Sequence, residues 1–275
     1  HLDPITLTKT APGTLRGTVV DTSGEPISGV DVVAVALGGS AASATATTAE
    51  DGTFNLPGVA ADLAWRLRFT KPGYGEAEKT LWLDAGATAD TGQVRLALGA
   101  SVTVAVQDSQ GTGIAGADLE LCAEGTCFAA QSSGNNYTFS GINPGRYLLR
   151  AAGSGYLAAY YPGVADQSSA TVVRVAEGAM VNLNPLILLR PGSISGTAVS
   201  TDPALTPSSG YATLYDADKN PIRAGGISGS AFSFDELWPG DYFVRGQASQ
   251  FADGDLGPVT VTEDATASTT LALSP

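Results

Sequence analysis

Hydrophobic and polar residues alternate with a period of two along most of the chain. The segment Trp65–Phe69 reads Trp-Arg-Leu-Arg-Phe, Val102–Val106 reads Val-Thr-Val-Ala-Val, and Val94–Leu98 reads Val-Arg-Leu-Ala-Leu. Such alternation places one face of a strand in a core and the other in water, so each segment is predicted to be a β-strand, with Leu98 on the buried face. Because helical periodicity is almost absent and Gly, Pro, Asp, Asn and Ser clusters separate the strands, an all-β fold is predicted.

A repeating unit of about 90 residues is visible in the order of these strands and turns. The opening strands are Gly13–Asp21, Ser101–Asp108 and Gly192–Val199. A later turn and strand pair recurs at Asp51–Phe54, Asn136–Phe139 and Ser230–Phe234. A Pro-Gly-x-Tyr motif follows at Pro144–Tyr147 and Pro239–Tyr242, and a Gly-Tyr motif closes the series at Gly73–Tyr74 and Gly155–Tyr156.

In this order the motifs resemble the carboxypeptidase regulatory-like domain, a transthyretin-like (prealbumin-like) β-sandwich related to CnaB domains. The resemblance implies three tandem Greek-key β-sandwiches at residues 13–99, 100–191 and 192–275, preceded by an N-terminal extension of residues 1–12. The third unit departs most, because Thr206–Gly210 replaces the first turn and Phe251 stands where the Gly-Tyr motif would fall.

The predicted boundaries are short. Gly99 and Ala100 alone separate Leu98 from the second opening strand, and Arg190–Gly192 joins the second unit to the third. Linkers of this length have little reach, so neighbouring sandwiches are expected to touch and to form a stiff rod.

The N-terminal extension has its own alternating pattern, with Ile5, Leu7 and Lys9 on one face. Two interpretations stay open: an ordinary edge strand, or a strand donated to a second subunit by β-augmentation. The chain begins at His1 rather than methionine. We therefore expect it to be either processed or part of a longer protein, and processing would fit export.

The two cysteines lie close together, at Cys122 and Cys127. A hairpin that turns between them would set the two side chains opposite each other at disulfide-forming distance. The sequence therefore predicts a Cys122–Cys127 disulfide, which is typical of an extracellular or cell-surface protein. Two separate buried thiols are the alternative.

Composition and charge exclude several kinds of function. The chain has 275 residues and a formal net charge of −13, which argues against nucleic-acid binding. Apolar runs such as Leu186–Leu189 are far shorter than a membrane span. The one histidine is His1, so no internal imidazole can serve a nucleophile, and no catalytic residue, metal site or cofactor is predicted. Asp216–Asn220 has oxygen spacing like that of a calcium loop, but a simple turn is the preferred interpretation.

Aromatic residues are the candidate ligand-binding groups, since sugars stack on exposed rings. Trp82 lies on the strand face opposite Leu81 and Leu83, and three tyrosines are close together in the sequence: Tyr156, Tyr160 and Tyr161. The alternative is that these rings close the edge of a sandwich or pack at a junction between units.

Two functional hypotheses follow. The first is a non-catalytic extracellular structural protein: a stalk, an adhesin segment or a filament-type assembly subunit. Its partner would be another protein, or a second copy of the chain bound through the N-terminal strand. The second is a carbohydrate-binding accessory region that contacts polysaccharide through Trp82 or the three tyrosines.

Overall fold

A computed structural model describes residues 10–38 and 42–275 of the chain. Nearly all of its regular structure is β-strand, and its buried hydrophobic residues fall into three successive clusters. We call them the first, second and third cores, in chain order. None of the helices within the described residues has the length and apolar character needed to cross a membrane.

The first core lies between a three-stranded and a four-stranded sheet, and its buried side chains include Trp65, Leu67 and Phe69. Its strands are β1 (Gly13–Val20), β2 (Asp31–Ala36), β3 (Ser43–Thr47), β4 (Thr53–Val59), β5 (Leu63–Thr70), β6 (Ala77–Leu83) and β7 (Thr88–Arg95). The strand orders are β4-β1-β7 and β3-β2-β5-β6. Alternate residues of β5 are buried, as the sequence pattern predicts.

The second core also lies between two sheets, with strand orders β10-β9-β13-β14 and β11-β12-β8-β16. Its strands are β8 (Ala100–Gln107), β9 (Asp118–Ala123), β10 (Thr126–Ala129), β11 (Gln131–Ser133), β12 (Asn136–Ile142), β13 (Gly145–Ala152), β14 (Ala159–Tyr160), β15 (Val173–Val175), β16 (Met180–Asn182) and β17 (Leu186–Ile187). β15 pairs with β13 and β17 with β8, and a short 3₁₀ helix covers Gln167–Ser169.

The third core is enclosed by one seven-stranded sheet of order β23-β22-β19-β20-β21-β18-β24. Its strands are β18 (Gly192–Ser200), β19 (Ser209–Tyr215), β20 (Pro221–Ser228), β21 (Ala231–Leu237), β22 (Gly240–Ala248), β23 (Gly254–Val261) and β24 (Thr266–Leu273). The strands on the two sides of this core belong to one sheet because β20 joins them. It pairs with β19 along most of its length and, through Ser228 and Ala231, with β21.

The same strand pairing surrounds all three cores. Each opening strand, β1, β8 or β18, has an antiparallel neighbour on one side: β4, β12 or β21. On its other side the closing strand, β7, β16 or β24, runs parallel to it. The repeated pairing and the predominance of strands confirm the predicted all-β sandwich fold.

One expectation from the alternating pattern is wrong. Val94 and Leu96 are buried in the first core, but Leu98 is 49% exposed and lies beyond the end of β7. Its backbone N–H and C=O are instead bonded to Glu177 and Gly178, which belong to the loop before β16. The alternation therefore ends two residues earlier than the sequence suggests, because Leu98 is a connecting residue.

Candidate functional site

We call each core together with the strands around it a sandwich, and the chain between two sandwiches a connection. At the first connection, a carboxylate of the second sandwich bonds to residues of the first. Glu177 Oε1 accepts a hydrogen bond from the backbone N–H of Leu98 at 3.0 Å. The hydroxyl of Thr22, in the turn after β1, donates to the same carboxylate at 3.0 and 3.2 Å. The N–H of Gly178 donates to the carbonyl of Leu98 at 3.0 Å. Both backbone polar groups of Leu98 are therefore bonded to one loop of the next sandwich.

The second connection repeats this arrangement. Glu263 Oε1 accepts a hydrogen bond from the backbone N–H of Arg190 at 2.9 Å. The guanidinium of Arg190 lies over the ring of Tyr156, 4.9 Å from its centroid, and also donates to the Tyr156 hydroxyl at 3.3 Å. Arg190 is thus fixed from both sides, by the second sandwich through its side chain and by the third through its backbone.

We call these two arrangements the glutamate clasps, and they occupy equivalent positions. Glu177 and Glu263 each precede a residue with left-handed backbone, Gly178 at φ 63° and Asp264 at φ 56°. The next residue in each loop, an alanine, accepts a hydrogen bond from the opening strand, at Ser101 N in one case and Ser193 N in the other.

The corresponding loop of the first sandwich has alanine in place of the glutamate. Gly86 has a φ of 67°, and its N–H donates to the carbonyl of Ala11 at 3.1 Å, matching the bond between Gly178 and Leu98. The preceding residue is Ala85, whose side chain has no oxygen to accept a hydrogen bond. The clasp is therefore found only where the structure shows one sandwich following another.

The Pro-Gly-x-Tyr motif forms a second contact at each connection. The residue before the proline reaches the preceding sandwich: Asn143 Nδ2 donates to the carbonyl of Glu76 at 2.9 Å, and Trp238 packs against the second core. The tyrosine of each motif holds this residue in place, since Tyr147 and Tyr242 donate their hydroxyls at 2.8 Å to the carbonyls of Asn143 and Trp238. Burial raises the pKa of both tyrosines, so their hydroxyls stay protonated donors at neutral pH.

Sequence reasoning missed the clasps, although a signal was present. The three loops before the closing strands read Asp-Ala-Gly-Ala, Ala-Glu-Gly-Ala and Thr-Glu-Asp-Ala, ending at Ala87, Ala179 and Ala265. Aligning the repeats on these alanines would have isolated a glutamate that is present in the second and third units and absent from the first.

Cys122 and Cys127 form the predicted disulfide. They are directly paired residues of β9 and β10, joined by a tight turn in which Glu124 and Gly125 both have positive φ. The bond therefore lies at the tip of an edge hairpin of the second sandwich.

Comparison with known proteins finds a family match in the first sandwich. The family model of the carboxypeptidase regulatory-like domain matches residues 14–97. These residues are therefore similar to a carboxypeptidase regulatory-like domain. This bears out, for the first sandwich, the resemblance that its sequence motifs indicated. No curated protein matches the chain.

Several solved structures overlap the chain at low similarity. A streptococcal ancillary pilin has 10% identity and a TM-score of 0.40, covering 95% of this chain and 99% of the pilin. The minor pilin GBS52 of Streptococcus agalactiae has 15% identity and a TM-score of 0.39, covering 64% of this chain and 95% of that one. The Bacillus anthracis TIE protein has 13% identity and a TM-score of 0.30; 96% of this chain is covered, but it spans only 51% of that protein. Overlap at this level supports no inference about function.

Trp82 lies on the outer face of the first sandwich, on edge strand β6. It is 58% exposed, and its indole N–H donates to Asp84 at 2.9 Å. Its cross-strand neighbour is Ala64 of β5, so one side of the ring is not covered by a large side chain.

The three tyrosines suggested by the sequence do not form one exposed patch. Tyr161 is 8% exposed and belongs to the second core, so its ring offers no free face for stacking. Tyr156 is half-buried and covered by Arg190 at the second connection. Tyr160 is half-buried on β14 beside Arg150. Packing at an edge and at a junction, the alternative interpretation, describes these rings better.

Three further sequence predictions concern the N-terminal strand, the Asp216–Asn220 turn and metal binding. Ile5, Leu7 and Lys9 lie outside the described residues. Asp216 and Asn220 close a turn, because both the backbone and side-chain N–H groups of Asn220 donate to the Asp216 carboxylate, which lowers the pKa of that carboxyl. Among residues 10–38 and 42–275, no group of three or more His, Cys, Asp or Glu side chains could hold a metal ion.

Proposed function

We propose that the chain is a non-catalytic spacer of the cell surface or extracellular space, in which three sandwiches, at residues 13–99, 100–191 and 192–275, form a stiff rod. Such a rod would serve as a stalk, an adhesin segment or a filament-type assembly subunit. The role of such a rod is mechanical: it holds a group attached at one end at a fixed distance and direction from the other end.

The observation that carries this proposal is the pair of glutamate clasps. A flexible connection would leave the linker N–H and C=O groups to water. Here the Leu98 N–H and C=O are both bonded to the second sandwich, and the Arg190 N–H is bonded to the third. Since rotation at these linkers would break the charge-assisted bonds, the clasps oppose bending.

The proposed location rests on the Cys122–Cys127 disulfide. The pair lies at the tip of a hairpin where Cys127 is exposed. Exposed disulfides persist in oxidising compartments and are reduced in the cytosol. The formal charge of −13 would also oppose nonspecific association, so any assembly would depend on specific contacts.

The test is small-angle X-ray scattering of the intact chain and of the double variant Glu177→Ala/Glu263→Ala. We expect one extended particle for the original chain. The variant should show a broader distribution of interatomic distances, because both linkers become free to rotate. Its thermal unfolding should be unchanged, since neither glutamate belongs to a core.

Two control variants make the result specific. Glu177→Gln/Glu263→Gln keeps an acceptor oxygen at each position and should retain an extended particle, while Glu50→Ala/Glu124→Ala removes two glutamates of exposed turns and should have no effect. Identical scattering from the double alanine variant and the original chain would contradict a role for the clasps. A compact original chain would contradict the rod itself.

Carbohydrate binding is a second candidate function, favoured by the 58% exposure of Trp82. In this case the first sandwich would hold polysaccharide on the outer face of β6. Retention on an insoluble polysaccharide that is lost in Trp82→Ala, with unchanged thermal unfolding, would support it; equal retention by the two proteins would exclude Trp82 as the contact.

A further inference from the structure

The outer face of the third sandwich carries the most exposed tyrosine of the described residues, Tyr211 on β19. Its side chain is 67% exposed, while its neighbours Ala212 and Leu214 are fully buried in the third core. Tyr211 therefore occupies a central strand of a well-packed sheet, which holds its backbone firmly while the ring stands in solvent. No hydrogen bond of its hydroxyl is found among the described residues.

The strand positions on both sides of Tyr211 leave its ring accessible. Its partner on β20 is Gly226, where an added Cβ would meet no heavy atom within 4 Å. Its partner on β22 is Gln247, an exposed polar side chain. Directly paired residues project from the same face of a sheet, so the ring lies between an empty position and a hydrogen-bonding amide. A shallow cavity of about 600 Å³ is lined by Tyr211, Gly226 and Gln247, among others.

The polar side chains beside this ring are already oriented. Gln247 Nε2 donates to Asp253 at 2.9 Å, so its amide oxygen is left free to accept. Arg245 donates to both oxygens of Asp255, at 2.7 and 3.0 Å. Hydrogen bonding with Arg245 lowers the pKa of Asp255, so the pair is fully ionised and mutually neutralised at neutral pH.

A second pair of rings lies further along the same face. Tyr215 is paired with Phe243 across β19 and β22, and Thr213, between Tyr211 and Tyr215, is paired with Arg245. Tyr211 and Tyr215 are four strand residues apart, about 13 Å. Lys219 lies over the Phe243 ring, and these groups line a cavity of about 340 Å³. Along the strand direction this face therefore presents the Tyr211 ring, then a row of polar side chains, and then the rings of Tyr215 and Phe243.

We propose that this face, centred on Tyr211, Gln247 and Arg245, binds an extended neutral glycan. A pyranose ring has an apolar C–H surface that packs on an aromatic ring and a rim of hydroxyls that need donors and acceptors. The face supplies both, in alternation along a strand. This inference goes beyond the proposed rod, because it assigns a ligand to one sandwich.

Charge selects a neutral glycan over an acidic one or a protein. The Arg245–Asp255 pair cancels its own charge, and Lys219 offsets the carboxylate of Asp253, so the face has no net charge. The chain as a whole has a formal charge of −13 and would repel an anionic polymer. A protein partner would need a continuous apolar centre, but the positions beside Tyr211 are a glycine and a glutamine.

Retention of the intact chain on neutral polysaccharides tests the proposal. The probes are insoluble β-glucan, chitin, xylan and starch, with polygalacturonate as an acidic comparison. Two variants act in different ways. Tyr211→Ala removes the ring, and Gly226→Val fills the open position beside it while leaving Tyr211 in place. Each should weaken binding about tenfold, if stacking contributes on the order of 1.4 kcal/mol.

Met180→Ala is the matched control, because it removes an 85% exposed apolar side chain from a different sandwich. The expected result is retention on at least one neutral polysaccharide by the original chain and by Met180→Ala, with reduced retention by both face variants at unchanged thermal unfolding. The proposal is overturned by no retention on any neutral probe, by preference for polygalacturonate, or by retention that Trp82→Ala abolishes and the two face variants leave unchanged.

Discussion

Three aromatic residues of the chain make the same kind of hydrogen bond, one in each core. The indole N–H of Trp65 donates to the carbonyl of Ala60 at 2.9 Å in the first core. Tyr147 and Tyr242 donate their hydroxyls to the residues before the Pro-Gly turns in the other two. In each case a buried ring satisfies a carbonyl that the turn would otherwise leave without a partner. The shared feature of the three cores is therefore a side-chain donor at this position, which is an indole N–H in the first core and a tyrosine hydroxyl in the other two.

Removing one of these donors should destabilise one sandwich. Tyr147→Phe keeps the buried ring but leaves the Asn143 carbonyl without its bond, and we expect a loss of about 1 kcal/mol in the free energy of unfolding. Urea unfolding of the second sandwich, followed by aromatic fluorescence, measures this. Tyr160→Phe is the control, because the Tyr160 hydroxyl makes no hydrogen bond within the described residues. Equal unfolding free energies for the two variants would contradict the assignment.

Residue identity predicted the cores well and the connections poorly. Alternation found Trp65, Leu67 and Phe69, which are all buried, because burial follows the side-chain period of a strand. It misplaced Leu98, and it gave no indication of Glu177, because a clasp depends on two loops that are 79 residues apart in sequence. The sequence did not single out Tyr211, and only the strand register shows that Gly226 lies beside it.

The β9–β10 hairpin is the element on which the sequence was most informative. Two cysteines separated by a four-residue stretch with glycine predicted both the turn and the bond, and the structure has both. The sequence did not predict that β20 joins the strands around the third core into one sheet. This joining depends on how far β20 extends along β19 before the chain turns into β21, and strand length is not encoded by alternation alone.

Removing the disulfide should affect one sandwich only. In Cys122→Ala/Cys127→Ala the hairpin loses a constraint on its unfolded state, and we expect a loss of about 2 kcal/mol in the free energy of unfolding of the second sandwich. Differential scanning calorimetry should show one transition shifted to lower temperature and the others unchanged. Adding a thiol reductant should reproduce the shift in the original chain and have no effect on the variant. A shift of every transition would show that the hairpin stabilises more than its own core.

At the scale of the whole molecule, the outer strands of the described sheets offer edges through which copies could associate. In the first sandwich β4 and β3 are the outer strands of their sheets, and a groove between them is lined by Thr47, Thr53 and Asn55. A strand donated by residues 1–12 of a second copy, with Ile5, Leu7 and Lys9 on one face, would pair with such an edge.

Deletion of residues 1–12 tests this mode of assembly. The shortened chain should keep its three cores and its thermal unfolding, because every core residue among positions 10–38 and 42–275 lies beyond position 12. Any oligomer that the original chain forms at high concentration should disappear in sedimentation velocity. An oligomer that persists after the deletion would show that the contact lies elsewhere.

The parallel pairing of the opening and closing strands has a mechanical consequence. In each sandwich the chain enters along β1, β8 or β18 and leaves along a strand bonded side by side to it in the same direction. Tension applied to the two ends therefore pulls the paired strands lengthwise past each other. Under such shear the ladder bonds are strained together rather than opened one after another, so the load is shared among them. In β18 and β24 this ladder runs from Ser193 to Ser200, which makes the third sandwich the one with the longest unbroken seam against a pulling force.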